Sequence, residues 1–148
     1  MIKTTSENKN YKAVDIGPLA ELAKHEFIHP KFKTRDKGRI FIGELLQTTG
    51  AEISFRKLPA GTVISFLHKH IKHEEIYVFL KGSGQFQVDD DTFQIREGSI
   101  VKVSVDGSRA LSSNSNEPLV YMVIQSHQNT LAAYNVSDGY RVEGNVKL

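Results

Sequence analysis

The chain has 148 residues, 39% hydrophobic and 24% charged, the composition of a folded globular domain large enough for one core. Nineteen basic against 17 acidic residues leave a formal net charge of +2, too balanced for a surface devoted to nucleic acid. The longest apolar run, Leu119 to Ile124, is six residues against the roughly twenty that a membrane helix needs, and the absence of Cys excludes disulfides, thiolate metal sites and cysteine nucleophiles.

The first ten residues are polar, and fraying is expected there. They hold no apolar core of a signal peptide, so the expected location is cytoplasmic. Residues 17–24 predict a short helix, with Pro18 near its start and Leu19, Leu22 and Ala23 on one face. His29-Pro30 ends it, and Lys31 to Arg39 reads as a basic, exposed connection. From Arg39 onward, short β-rich runs follow one another: Ile40–Leu46, Ile53–Leu58, Val63–Leu67, Ile76–Leu80, Gln85–Val88, Thr92–Ile95, Ile100–Val105, Arg109–Leu111 and Leu119–Gln125. Gly- and Asp-rich turns separate them, and no long helices alternate with them. This spacing predicts one all-β domain, an antiparallel sandwich or barrel. Residues 1–38 form an N-terminal extension with its short helix, 39–126 the barrel and 127–148 a C-terminal segment.

The chemistry concentrates in His68-Lys69-His70-Ile71-Lys72-His73-Glu74-Glu75, where three of the six histidines fall within six positions. On a strand, residues two apart share a face, so His68 and His70 would present two imidazoles side by side. Glu75 opens the next run and would point into the same interior. Two imidazoles and a carboxylate suit iron, zinc, manganese or nickel, with positions left open for substrate. His73 can be solvated or join the set, whereas Glu74 has the opposite parity. Tyr77 and Phe79 follow Glu75, and Tyr121, Val123 and Gln125 form one face of the last strand. Of these, Tyr77 and Tyr121 are candidates for proton transfer, as is His73. P-loop, dinucleotide and nucleophile-elbow patterns are absent, and Asp89-Asp90-Asp91 reads as a solvated turn.

Gly61, six residues, His68-x-His70, four residues, Glu75, six residues and Gly82 together resemble the first motif of the cupin superfamily, G-x5-H-x-H-x3,4-E-x6-G. The resemblance implies a cupin-type jelly-roll or β-barrel, often dimeric, whose two His and one Glu line a metal pocket. The second cupin motif supplies a further His, but this chain has none between Gly98 and His127; Arg109 or Ala110 stands there. Arg is permanently protonated and cannot ligate. Three roles are open to it: an ion pair with Glu75 that excludes the metal, a clamp on a substrate anion, or an ordinary surface charge.

The resulting expectation is a homodimeric cupin enzyme. His68, His70 and Glu75 hold a divalent metal, Arg109 orients an anionic group, and Tyr77 and Tyr121 are catalytic candidates. The competing readings are a non-catalytic small-molecule binder and a metal-free epimerase or isomerase with His68 or His70 as base.

Overall fold

Alternation of apolar and polar residues drives the strands of the computed structural model, which describes residues 2–134 and 137–147. The N-terminal part comprises β1 (Lys3–Asn8), β2 (Tyr11–Asp15), a 3-10 turn (Leu19–Lys24), β3 (Glu26–Ile28), β4 (Arg35–Lys37), β5 (Arg39–Phe41) and a single helical turn, α1 (Gly43–Leu46). The barrel strands are β6 (Ala51–Leu58), β7 (His73–Lys81), β8 (Ser83–Val88), β9 (Asp91–Arg96), β10 (Ile100–Val103), β11 (Arg109–Ser112) and β12 (Leu119–His127). Among the described residues, no helix is long and apolar enough to cross a membrane.

A five-stranded antiparallel sheet, ordered β10-β7-β12-β6-β5, faces a three-stranded one, β11-β8-β9. Between them lies the main core: Leu58, Tyr77, Phe79, Tyr121 and Val123 from the larger sheet against Phe86, Ile95 and Leu111 from the smaller. Fully burying one such side chain is worth about 1.5–3 kcal/mol. The outer face of the larger sheet is also apolar. There Ile40, Ile42 and Val120, flanked by Ile53, Phe55 and Leu80, meet Leu22 of the 3-10 turn and Ile16 beyond β2. The N-terminal extension therefore roofs a sheet that would otherwise expose its back.

Four local expectations are corrected. The first residues are not frayed: β1 and β2 pair as an antiparallel hairpin with an irregularity between Thr4 and Ser6. The stretch Lys31 to Arg39 is not a plain connection, because β3 and β4 pair across it. The run Ile40–Leu46 is a strand only to Phe41. Beyond it the chain turns helical, since Glu52 Oε1 accepts the Gly43 N–H at 2.7 Å and Gln47 closes the turn in the left-handed region at φ 57°. The run Val63–Leu67 is not a ladder strand; residues 63–68 touch β11 only through isolated bridges at Val63–Ser112 and His68–Arg109.

Candidate metal centre

Glu75 lies on the inner face of β7, opposite Val103 of β10 and Gln125 of β12. Two residues toward the barrel mouth the same face carries His73, opposite His127, and two residues deeper it carries Tyr77, opposite Val123. His68 is brought in differently. Its backbone exchanges hydrogen bonds with Arg109, His68 N–H to Arg109 O at 3.2 Å and Arg109 N–H to His68 O at 3.1 Å. That bridge fixes the 63–72 loop beside the smaller sheet, across the interior from Glu75. The His68 and His70 rings then meet edge to face, with centroids 5.5 Å apart. A regular strand is thus not what pairs the two histidines; a loop pinned at His68 does it.

His68, His70 and Glu75 could together hold a metal ion, with one ligand atom from each and all three atoms within 4.8 Å of one another. Nε2 of His70 stands 3.1 Å from Oε1 of Glu75, and Nε2 of His68 stands 4.0 Å from Oε2. Two ligands about 2.1 Å from one ion, roughly at right angles to tetrahedral, are about 3.0–3.4 Å apart. Nδ1 of His68 is buried and has no hydrogen-bond partner, an arrangement that is costly unless something else satisfies it. The donor set of two imidazoles and a carboxylate fits a borderline divalent cation.

The position vacated by the second-motif histidine is filled by Arg109, whose side chain is 1% exposed against 2% for Glu75. Its Nε and Nη2 donate to Oε2 of Glu75 at 2.9 and 2.7 Å. Nη1 donates to the carbonyls of Gly107 at 3.0 Å and His68 at 3.4 Å. Every nitrogen of the guanidinium is engaged within the protein. Tyr77 Oη also donates to Oε2, at 2.5 Å, and Gln125 Nε2 donates to Oε1 at 2.7 Å.

This shell sets the charges. Burial works to raise the Glu75 pKa, but the contacts with His70, Tyr77 and Arg109 outweigh it and hold the carboxyl well below its usual range. Burial, then the Arg109 cation, push His68 down to about 4, which leaves its imidazole neutral, the form that ligates metals. Burial and the Glu75 charge push the Tyr77 phenol far up. Tyr121 is buried among Tyr77 and Phe79, and burial raises its pKa against the opposing charges of Arg56 and Arg39. His73 packs against His127 with ring centroids 4.5 Å apart and the rings tilted by 58°, in the wall of a cavity of about 630 Å³ that Gln125 and Glu52 also line.

Sequence reasoning missed two contributors. Gln125 had been placed on an inward face without a role, although its parity with Tyr121 and Val123 pointed toward Glu75. His127, a histidine two residues beyond Gln125, carried the same signal.

No family model matches the sequence. Its fold is that of a cupin protein (BF4112) from Bacteroides fragilis, at a TM-score of 0.67 and 30% identity, over 80% of this chain and 100% of that one. A Cupin 2 conserved barrel domain protein from Salinispora arenicola shares the fold at TM-score 0.60 and 14% identity, over 78% of this chain and 91% of that one. A predicted oxalate decarboxylase from Thermotoga maritima does so at 0.57 and 21%, over 70% of this chain and 90% of that one. Barrel, motif and relatives agree, and the chain belongs to the cupin superfamily. Among curated sequences, an uncharacterized protein of Methanocaldococcus jannaschii, MJ1618, is 29% identical over 77 residues, 49% of this chain and 61% of that protein. The chain therefore spans about three-fifths of that relative's length.

Proposed function

We propose that this cupin is a small-molecule enzyme that holds one divalent ion on His68, His70 and Glu75. The observation that carries the reading is the convergence of one ligand atom each from His68, His70 and Glu75 within 4.8 Å of one another, with the donor set of two imidazoles and a carboxylate. When bound, such an ion supplies a Lewis-acidic centre with open positions for substrate oxygens.

The chain's own residues prepare that site. Arg109 and Tyr77 clamp Oε2 of Glu75 and keep the carboxylate ionised, while Gln125 orients Oε1. Tyr77 and Arg109 act as positioning residues, since both are spent on Glu75. The metal-free alternative, with His68 or His70 as general base, needs a hydrogen bond from the histidine to an orienting carboxylate. His70 has such a partner, Nε2 lying 3.1 Å from Oε1 of Glu75, whereas His68 stands 4.0 Å from the carboxylate.

A second reading, a metal-free ligand binder, is favoured by the saturation of Oε2, which already accepts three hydrogen bonds. Metal analysis of untagged protein separates the two. The enzyme reading expects about one ion per chain, lost in His68→Ala/His70→Ala with the fold retained. Metal-free wild type after incubation with iron, zinc, manganese and nickel would establish the second reading instead. In that case Arg109→His should create affinity by restoring a ligand and freeing Glu75.

A further inference from the structure

Arg109 has no donor left for a ligand, yet the inner face of the barrel carries two more arginines. Arg39 of β5 pairs in register with Arg56 of β6, which pairs with Tyr121 of β12, which pairs with Phe79 of β7. These four residues form one row across the five-stranded sheet. Phe79 shares its parity with Tyr77 and Glu75, so the row lies on the face that carries the metal centre, two rows away. At about 3.3 Å per residue that separation is about 13 Å along the strand, shortened by the reach of the arginine side chains.

Both arginine side chains are largely buried, 25% exposed for Arg39 and 18% for Arg56, and they share one carboxylate. Asp36 accepts from Arg56 Nη2 at 2.9 Å and only weakly from Arg39 Nη1 at 3.5 Å. The cluster keeps one positive charge in excess, and Nε of Arg56 is buried without any hydrogen-bond partner. Arg39 is held over the rings of Phe41 and Phe27, with its guanidinium carbon 4.7 and 5.9 Å from their centroids. Stacking of this kind presents the edge of the guanidinium, which is where its forked donors lie.

We propose that Arg39 and Arg56 form an oxyanion subsite that holds the carboxylate or phosphate of a small organic anion. The proposal rests on reading the barrel interior as a ligand site, and it defines the substrate class as a small organic anion. Its unpartnered Nε and excess charge distinguish this pair from Arg109, whose cation is fully answered by Glu75 and backbone carbonyls.

The test is an NMR titration of the full chain at constant ionic strength, following arginine Nε–Hε signals. Inorganic phosphate is the probe in one arm and pyruvate in the other; the tighter arm identifies the anion. The expected result is a saturable shift of the Arg56 Nε–Hε signal. Binding should be about tenfold weaker or more in Arg39→Gln, which keeps the Arg56–Asp36 pair, and unchanged in Arg35→Gln on β4, whose side chain pairs with Glu26 instead. An Arg56 signal unmoved by both anions, or an Arg39→Gln protein that titrates like wild type, overturns the proposal. Metal content of the same samples is read in parallel. A metal-free protein whose Arg56 responds retains the subsite and loses the metal centre, and a metal-loaded protein whose Arg56 is silent does the reverse.

Discussion

The Glu75 carboxylate is the most connected group in the barrel, and removing its charge tests that directly. Glu75→Gln leaves the Arg109 guanidinium buried without a counter-ion, and breaking such a pair costs about 3–5 kcal/mol. Urea denaturation should show that loss, and Arg109→Met a comparable one. The double variant Glu75→Leu/Arg109→Met should cost less than either single change, because no charge is then stranded; equal or larger loss would mean that the pair is not what stabilises the interior. The clue to this pair was in the sequence, where an arginine stands in place of a second-motif histidine. The choice among its three roles was not, since register and reach decide it: β11 aims Arg109 inward and the His68 bridge closes over it. Tyr77 likewise looked like a free phenol by parity, and only the Oε2 contact shows its hydroxyl to be committed.

At the scale of elements, backbone proximity makes the sharpest prediction. A Cβ on Gly84 of β8 would lie 1.9 Å from the Ser112 carbonyl of β11, whereas one on Gly50 would meet nothing within 4 Å. Gly84→Ala should therefore destabilise by about 2 kcal/mol or more, and Gly50→Ala should change stability by less than about 0.5 kcal/mol. Thermal unfolding of the pair checks both, and equal midpoints would contradict the close approach of β8 to β11. The barrel strands were legible because short β-rich runs alternate with Gly- and Asp-rich turns. The hairpin of β1 and β2 was not legible, because all six residues of β1 are exposed and leave no pattern. Val63–Leu67 misled in the opposite sense. It has the residues of a strand, but Val63, Phe66 and Leu67 face solvent, and its pairing reduces to two bridges.

For the whole molecule, acid is the sensitive direction. Glu75 has a depressed pKa in the folded state, so its contribution is present above the unfolded value of about 4.5 and is lost as pH falls toward the folded one. His68 is lowered from 6.5 to about 4, so between those values the unfolded chain binds more protons and stability declines on acidification there too. Urea midpoints measured with a chelator present should fall steadily below pH 6.5. His68→Gln should flatten the portion between pH 6.5 and 4 and leave the steeper acid limb. A midpoint that rises on acidification over that interval would reverse the assigned direction of the His68 shift. The cupin architecture itself was readable from the first motif and the strand spacing. The apolar face of Leu19 and Leu22 was readable too, but that it roofs the sheet's outer face was not, because the partners it meets, Ile40, Ile42 and Val120, are distant in sequence.

The strand order also has a consequence for how the molecule is made. In β10-β7-β12-β6-β5 the last of the described strands occupies the centre. Until residues 119–127 have left the ribosome, β6 and β7 each present an unpaired edge and cannot reach one another, so the nascent chain carries two open half-sheets. The pairing of β12 with both joins them, sets Gln125 opposite Glu75 and places Tyr121 in the core. Synthesis therefore completes the sheet and the Glu75 shell together, and the preceding interval is when the chain is most exposed to association through its open edges.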